Sequence, residues 1–144
     1  MHEDLPALRI YLDANVLISA SLSTSSQFLN LWRMKNIHPV TSLYAVYEAR
    51  RNLYAMQLER FDFLISNTKL CPDPNPAILP IGVHVVEKDR AILAAALSTQ
   101  ADYLLTGDKR HFRHLYSNRI EKTMISSPAD FLNQYGYRLK RLKF

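Results

Sequence analysis

Apolar residues along the chain occur either in short continuous runs or at helical spacing, and the two patterns alternate. Residues 8–12 form an apolar, β-rich run, and residues 39–41, 102–106 and 123–126 have a similar length and composition. Runs of this kind are typical of buried strands. Because segments with helical spacing separate them, the pattern predicts an α/β domain with a central parallel sheet.

Two helices are predicted in the first half of the chain. The polar residues 23–26 are possible N-caps for the first, and four residues then keep helical spacing: Phe28, Leu31, Trp32 and Lys35. A second, long helical region begins after the possible cap Ser42, and its predicted apolar face consists of Leu43, Val46, Tyr47, Leu53 and Tyr54. A stripe of small and polar side chains lies beside that face and contains Ala45, Glu48, Ala49 and Asn52. Glu48 is therefore expected at the edge of the buried face.

Two more helices are predicted in the second half. One starts at Lys88, carries Asp89 in its first turn and aligns four apolar residues: Ile92, Leu93, Ala96 and Leu97. The other starts at residues 127–128, where Ser127 is a cap and Pro128 takes the first helical position. Both helices are expected to follow or precede strands of the same sheet.

Length and composition fit one globular domain. The chain has 144 residues, of which 48% are hydrophobic and 22% are charged, as in ordinary compact proteins. We therefore expect a single domain over residues 1–144, with a core at 9–132 and a basic C-terminal tail at 133–144. The tail is interpreted either as a solvated end or as a contact for RNA or a protein partner.

Charge and targeting features narrow the functional classes. The longest apolar run, residues 91–97, is much shorter than the roughly 20 residues of a membrane-spanning helix. The acidic N-terminus does not resemble a secretory signal, and the lone Cys71 offers no internal disulfide. We therefore expect a cytoplasmic protein without a membrane span. A net charge of +5 and a pI near 9.4 favour a polyanionic partner such as nucleic acid or an acidic protein.

Acidic side chains follow two of the predicted strands, at the edge where parallel sheets bind ligands. Asp13 comes directly after the run at 8–12, and Asp108 closely follows the run at 102–106. Asp89 at a helix start and Glu48 on a helix flank are placed to join them. Each acid alone also has an ordinary structural explanation, as a turn residue, a first-turn helix acid or the partner of a neighbouring side chain.

A cluster of these four acids requires a counter-charge. Two carboxylates about 4 Å apart repel by about 4 kcal/mol at an effective dielectric near 20, so a divalent cation is the natural occupant. Ligation by oxygen alone suits Mg²⁺ or Mn²⁺. A cation held in this way activates water and stabilises charge on a phosphodiester. The acids therefore indicate metal-dependent phosphodiester hydrolysis.

The motifs around the acids resemble the PIN-domain nucleases, and particularly the toxin components of bacterial and archaeal toxin–antitoxin pairs. The matching motifs are the Ile-Tyr-Leu-Asp-Ala-Asn-Val-Leu-Ile-Ser sequence at 10–19 and the run from Glu87-Lys88-Asp89 to Thr106-Gly107-Asp108, with Glu48 where the family has its second acid. The resemblance covers residues 9–132 and implies a three-layer α/β/α fold with helices on both faces of a parallel sheet. It also implies a set of residues that are both catalytic and ligands of Mg²⁺ or Mn²⁺: Asp13, Glu48, Asp89 and Asp108.

The same resemblance implies supporting residues and partners. Asn15 and Thr106 are expected to hold the acids through hydrogen bonds, whereas Asp102 either closes a helix-to-strand turn or supports the site. Three basic residues are expected to contact RNA, unless they form only a solvated loop: Lys109, Arg110 and Arg113. An antitoxin protein and a second copy of the chain, as a homodimer, are the expected protein partners.

The sequence thus favours a metal-dependent endoribonuclease that acts as the toxin of a toxin–antitoxin pair. Two alternatives stay open, a housekeeping RNA-processing nuclease and a non-catalytic module that binds RNA or protein. The intact set of four mutually repelling acids argues against the binding module. A haloacid-dehalogenase-type phosphatase is disfavoured because it requires a second acid two residues after Asp13, where this chain has Asn15.

Overall fold

Strands and helices alternate along the chain, as the hydrophobic pattern predicts. The computed structural model describes residues 7–135, apart from the side chain of Lys88. The strands are β1 (Leu8–Leu12), β2 (Ile37–Ser42), β3 (Lys69–Cys71), β4 (Tyr103–Leu105), β5 (Arg119–Ile120) and β6 (Thr123–Ser126). The helices are α1 (Ala14–Ser21), α2 (Leu43–Arg50), α3 (Met56–Ser66), α4 (Glu87–Ser98), α5 (Lys109–Phe112) and α6 (Pro128–Tyr135). Short 3-10 helices lie at Gln27–Trp32, Pro76–Ile78 and Arg113–Leu115.

The strands form a sheet in the order β3-β2-β1-β4-β6-β5. The pairs β1–β2, β1–β4, β2–β3 and β4–β6 are parallel, and among the described strands β5 alone runs antiparallel to its neighbour, β6. Helices flank the sheet, which confirms the predicted α/β class and its central, largely parallel sheet. The antiparallel β5 was not expected, because a strand of two residues carries no periodic signal.

The strand order creates a crevice beside β1. The chain passes from β1 to β2 on one side, and β4 then pairs with the other side of β1. Such a reversal opens a crevice at the carboxyl ends of the two strands. Since α4 returns the chain to the start of β4, the first turn of α4 lies at the same edge.

The elements around this crevice are anchored in the core. Ile10, Tyr11 and Leu12 in β1 are fully buried, and residues 92–96 in α4 are each at most 3% exposed. Burial on all sides is typical of a central parallel strand and of a helix covered by other elements. The side chains that follow β1 and begin α4 are therefore carried on rigid supports.

The segment from 14 to 35 differs from the prediction. The helical structure after residues 23–26 is a 3-10 helix that starts after its cap Ser26 and ends at Trp32. The α-helix of this region, α1, lies earlier and begins directly after Asp13, whose Oδ1 accepts a hydrogen bond from the Ala14 N–H at 2.6 Å. Helix α1 has only eight residues, fewer than the window over which helical spacing is recognised in a sequence.

The apolar face predicted for the helical region after Ser42 is wrong at Leu43, Tyr47 and Tyr54, which are exposed, whereas Leu53 is buried and Val46 packs against the core. Leu43 and Tyr47 are 55% and 60% exposed, whereas Ala45 and Ala49 are fully buried. The helix packs against α1 and α4, and small alanine side chains allow that close approach. The predicted helical region also divides, because α2 ends at Arg50 and α3 begins after Ala55, whose φ is 49°. The side of α2 that carries Ala45, Glu48 and Ala49 therefore faces the interior of the protein.

This reversal of faces predicts unequal effects for two substitutions on one helix. Ala49→Leu is expected to destabilise the protein by about 1–3 kcal/mol, because the added carbons overpack a closed interface. Tyr47→Leu places the same side chain on the exposed side and is expected to change stability by less than about 0.5 kcal/mol. Urea unfolding of both variants measures the difference. Equal effects would reinstate the face predicted from the sequence.

The structure describes only the first part of the predicted C-terminal tail. The predicted basic tail at 133–144 begins inside α6, and residues 136–144, which contain its basic side chains, lie outside the described residues. Among the helices that the structure describes, none is long and apolar enough to cross a membrane.

Candidate active site

Asp13 and Thr106 meet where β1 and β4 end. Leu12 and Leu105 are register partners in the sheet, so the residues that follow them lie side by side. The Thr106 hydroxyl donates a hydrogen bond to Asp13 Oδ2 at 2.8 Å. Asp13 is only 6% exposed and Thr106 is fully buried. Strand pairing therefore fixes the position of the first acid.

The environment of Asp13 disfavours its ionised form. Burial, the largest cause, raises the pKa of Asp13 from 3.8 to about 6. The negative charges of Asp89 and Asp108 act in the same direction, while hydrogen bonds from Thr106 and the Ala14 N–H oppose it. A nearby cation would stabilise the carboxylate and remove this penalty.

Asn15 bridges the two strand ends. Its Oδ1 accepts a hydrogen bond from the Gly107 N–H at 2.8 Å, and its Nδ2 lies 3.4 Å from both Asp13 Oδ2 and Thr106 Oγ1. Thr106 Oγ1 also accepts a hydrogen bond from the Asp108 N–H at 3.1 Å. The structure thus brings Asn15 and Thr106 to the acids that they were predicted to hold.

Asp89 and Asp108 share one histidine. His111 Nδ1 lies 2.8 Å from Asp89 Oδ2 and 2.7 Å from Asp108 Oδ2. Asp108 also caps α5, since its Oδ1 accepts a hydrogen bond from the His111 backbone N–H at 3.2 Å. His111 was not among the metal ligands or supporting residues expected from the sequence. The signal that indicates this contact is its spacing, because residues three apart on a helical turn face each other.

Glu48 completes the lining of a cavity of about 210 Å³ at this edge. All four predicted acids line it, together with Asn15, Tyr44 and Asn52 among others. The Glu48 carboxylate is 3.9 Å from the Arg51 guanidinium, a distance at which an exposed pair contributes little. Burial raises the pKa of Tyr44, as does its hydrogen bond to Glu48. Tyr44 thus lies beside Glu48 in the lining of the cavity.

The donor set of this cavity fits a hard divalent cation. Carboxylates converge on it from β1, α2, α4 and the end of β4, and within residues 7–135 neither Asp13 nor Asp108 forms an ion pair with lysine or arginine. Carboxylate oxygens and water are the ligands preferred by Mg²⁺ and Mn²⁺. A cation here would be held by carboxylates of the four acids that line the cavity.

Asp102 lies at the other end of β4. Its Oδ2 accepts a hydrogen bond from the Arg9 N–H at 2.8 Å, and its Oδ1 is 3.7 Å from Lys122 Nζ. Thr106 follows four residues later, about 13 Å away at the rise of a strand. The structure therefore does not bring Asp102 to the acids; its side chain, in the segment between α4 and β4, instead contacts the start of β1 and Lys122.

The basic residues predicted to contact RNA lie beside the cavity. Lys109, Arg110 and Arg113 follow Asp108 directly and are all exposed. Phe112, between them, is fully buried and attaches this segment to the core. Three cationic side chains are thus presented to solvent within a few residues of the acids.

The double role of the Thr106 hydroxyl predicts a selective effect on activity. Thr106→Val keeps the shape but removes the shorter of the two hydrogen bonds to Asp13 Oδ2 and leaves the Asp108 N–H without its acceptor. We expect a roughly 10- to 100-fold loss of nuclease activity or metal affinity. Thr106→Ser, which keeps the hydroxyl, should retain most of both. Metal titration and cleavage kinetics test this, and equal values for the valine variant and the wild type would contradict it.

Comparisons with known proteins agree with this geometry. The chain resembles a chain in the crystal structure of VapBC2 from Rickettsia felis bound to a DNA fragment from their promoter, with a TM-score of 0.60, 16% identity, and 83% of this chain and 98% of that chain covered. PAE2754 from Pyrobaculum aerophilum is also similar, with a TM-score of 0.59, 14% identity and 91% of each chain covered. These identities show a shared fold only, and no curated protein has a significant sequence match to the chain. A sequence profile of the PIN domain, however, matches residues 9–110, a span that includes all four acids. The chain therefore belongs to the PIN-domain family of nucleases.

Proposed function

We propose that the protein is a metal-dependent endoribonuclease, in which Asp13, Glu48, Asp89 and Asp108 are catalytic residues and ligands of Mg²⁺ or Mn²⁺. The observation that carries the proposal is that these four carboxylates line one cavity at the carboxyl edge of the sheet in a chain of the PIN-domain family. A divalent ion bound there supplies water activation and stabilises the charge that develops on the phosphodiester.

The residues around the acids hold them in place for this chemistry. Thr106 after β4 and Asn15 in α1 fix Asp13, while the backbone of α5 fixes one oxygen of Asp108. Asp89 is fixed by the buried helix α4. Correct placement of catalytic groups before substrate arrives avoids the entropy cost of ordering them in the transition state.

RNA is the proposed substrate because of the charge around the cavity. Lys109, Arg110 and Arg113 are exposed beside Asp108, where they can neutralise phosphates next to the bond that is cut. The net charge of +5 also favours association with a polyanion. Tyr44 on the cavity wall offers an aromatic surface for a base.

We further propose that the nuclease acts as the toxin of a toxin–antitoxin pair in the cytoplasm, as a homodimer, and that a small antitoxin protein restrains it. Support comes from the resemblance of its motifs to those of toxin nucleases and from its structural similarity to a chain of the VapBC2 structure. A gene for a small DNA-binding protein directly beside this one would favour that role over RNA processing.

The direct test is cleavage of single-stranded and structured RNA by purified, partner-free protein. We expect cutting with Mn²⁺ or Mg²⁺, none with EDTA, and none from the Asp108→Asn variant. Matched folding of the variant is checked by circular dichroism. If well-folded, metal-loaded wild-type protein cuts none of a broad panel of RNAs, a binding role replaces the enzymatic one.

A further inference from the structure

His111, which is not in the proposed ligand set, contacts two acids that are, Asp89 and Asp108. One oxygen of Asp89, one oxygen of Asp108 and one ring nitrogen of His111 lie within 4.8 Å of one another. Among the described residues these three form a group of potential metal ligands that contains nitrogen as well as oxygen. The composition of such a group decides which divalent ion it prefers.

The position of the imidazole is fixed by its surroundings. His111 lies one turn after Asp108 in α5, and its backbone N–H donates a hydrogen bond to that carboxylate. The next residue, Phe112, is fully buried, and the His111 side chain itself is only 19% exposed. On the other side, Asp89 is 5% exposed in the first turn of α4. The nitrogen thus lies between two carboxylates that are each anchored in the core.

The distances are compatible with exchange of a shared hydrogen for a metal ion. Neighbouring ligand atoms around an octahedral ion with bonds of about 2.1 Å are about 3 Å apart. His111 Nδ1 lies 2.8 Å and 2.7 Å from the two carboxylate oxygens, so only small side-chain shifts bring all three atoms onto one ion. The Nδ1 atom carries either a hydrogen or a lone pair depending on the tautomer, and the tautomer with the lone pair at Nδ1 is the one that can bind an ion.

We propose that His111 Nδ1 is a direct ligand of the divalent ion, together with Asp89 and Asp108, and that this nitrogen makes the site select Mn²⁺ over Mg²⁺. The proposal rests on the metal-dependent function proposed above and specifies its cofactor. Mg²⁺ takes oxygen ligands almost without exception and dehydrates reluctantly. Imidazole instead favours transition metals, for which affinity rises along the first row. The histidine therefore acts as a specificity-determining ligand.

Pulsed electron paramagnetic resonance of the Mn²⁺-loaded full chain tests the bond directly. We expect nitrogen modulation typical of a coordinated imidazole in the wild type and its loss in His111→Asn. His114→Asn is the matched control, because His114 is exposed three residues further on and its Nε2 contacts the His84 carbonyl at 2.8 Å instead of an acid. The control should keep the signal. The wild-type spectrum alone establishes whether nitrogen is a ligand, so the test survives a variant that fails to fold.

Calorimetric titration with Mn²⁺ and Mg²⁺ gives the second readout. The ratio of the Mg²⁺ to the Mn²⁺ dissociation constant should fall about tenfold in His111→Asn, the scale on which single residues alter metal affinity, and should not change in His114→Asn. Bound Mn²⁺ without nitrogen modulation, or an unchanged ratio in His111→Asn, overturns the proposal. If the same sample cleaves RNA, the proposed ribonuclease function is unaffected. A wild type that binds neither ion and cuts no RNA overturns both.

Discussion

The Asp13→Asn variant is expected to cleave RNA about 1000-fold more slowly than the wild type, corresponding to ~4 kcal/mol of lost transition-state stabilisation. Asp13 is buried at the end of β1 and is held by Thr106 and by the Ala14 N–H. Asparagine keeps the size and much of the hydrogen bonding but removes the charge that holds a cation. Single-turnover cleavage at saturating Mn²⁺ measures the effect on chemistry rather than on product release.

A surface acid provides the comparison for this loss. Asp62→Asn removes a charge from α3, where Asp62 is exposed and pairs with exposed Arg50 at 2.7 Å. Exposed pairs contribute at most about 1 kcal/mol to stability, and this one lies outside the cavity lining, so cleavage should not change. Wild-type rates in a correctly folded Asp13→Asn protein would remove Asp13 from the catalytic site and with it the proposed arrangement.

Much of the site follows from sequence because strand direction constrains it. Asp13 and Asp108 both come after predicted strands, and parallel pairing of β1 with β4 brings them to one edge. Asp89 follows from the same logic, since a helix that leads into a parallel strand begins at that edge. Glu48 had no such constraint: the helical pattern placed it at the edge of a buried face, and the family resemblance then favoured its place in the site. Asp102 precedes β4 instead of following it, and for that reason it lies at the opposite edge.

The features that the sequence did not predict have a different physical origin. Helix α2 buries alanines and exposes Leu43 and Tyr47, because interhelical distance, not side-chain hydrophobicity, decides which face fits. A pattern of large apolar residues cannot report this. The strands β3 and β5, with three and two residues, are too short for any periodic signal. The contact of His111 with Asp89 joins residues far apart in the chain, and only the packing of α5 beside α4 reveals it.

Without metal, the contribution of Asp13 to the stability of the protein is expected to decrease as pH rises from about 4 to about 6. The folded state raises the pKa of Asp13 from 3.8 to about 6, mainly by burial, so the folded protein binds this proton more tightly than the unfolded chain. Stability therefore falls with rising pH in the range where the folded state binds more protons than the unfolded state, and the full penalty applies above the pKa of the folded state. A difference of about two pKa units corresponds to on the order of 3 kcal/mol.

The Asp13→Asn variant isolates this effect from all other titrating groups. In EDTA at pH 7.5 the variant should be more stable than the wild type by about 2 kcal/mol, since one weakened hydrogen bond offsets about 1 kcal/mol of the relieved burial. The advantage should disappear near pH 4.5, where most of the buried carboxyl is protonated.

Bound Mn²⁺ should have the opposite effect. At 100 times its dissociation constant, Mn²⁺ should add about 2.7 kcal/mol to the free energy of unfolding of the wild type and much less to that of the variant, because the ion replaces the proton at the acids. Urea unfolding with EDTA or Mn²⁺ at both pH values measures each quantity. Parallel pH profiles for the two proteins would show that Asp13 is ionised in the fold at no cost, and the electrostatic reason for a cation at this edge would then be lost.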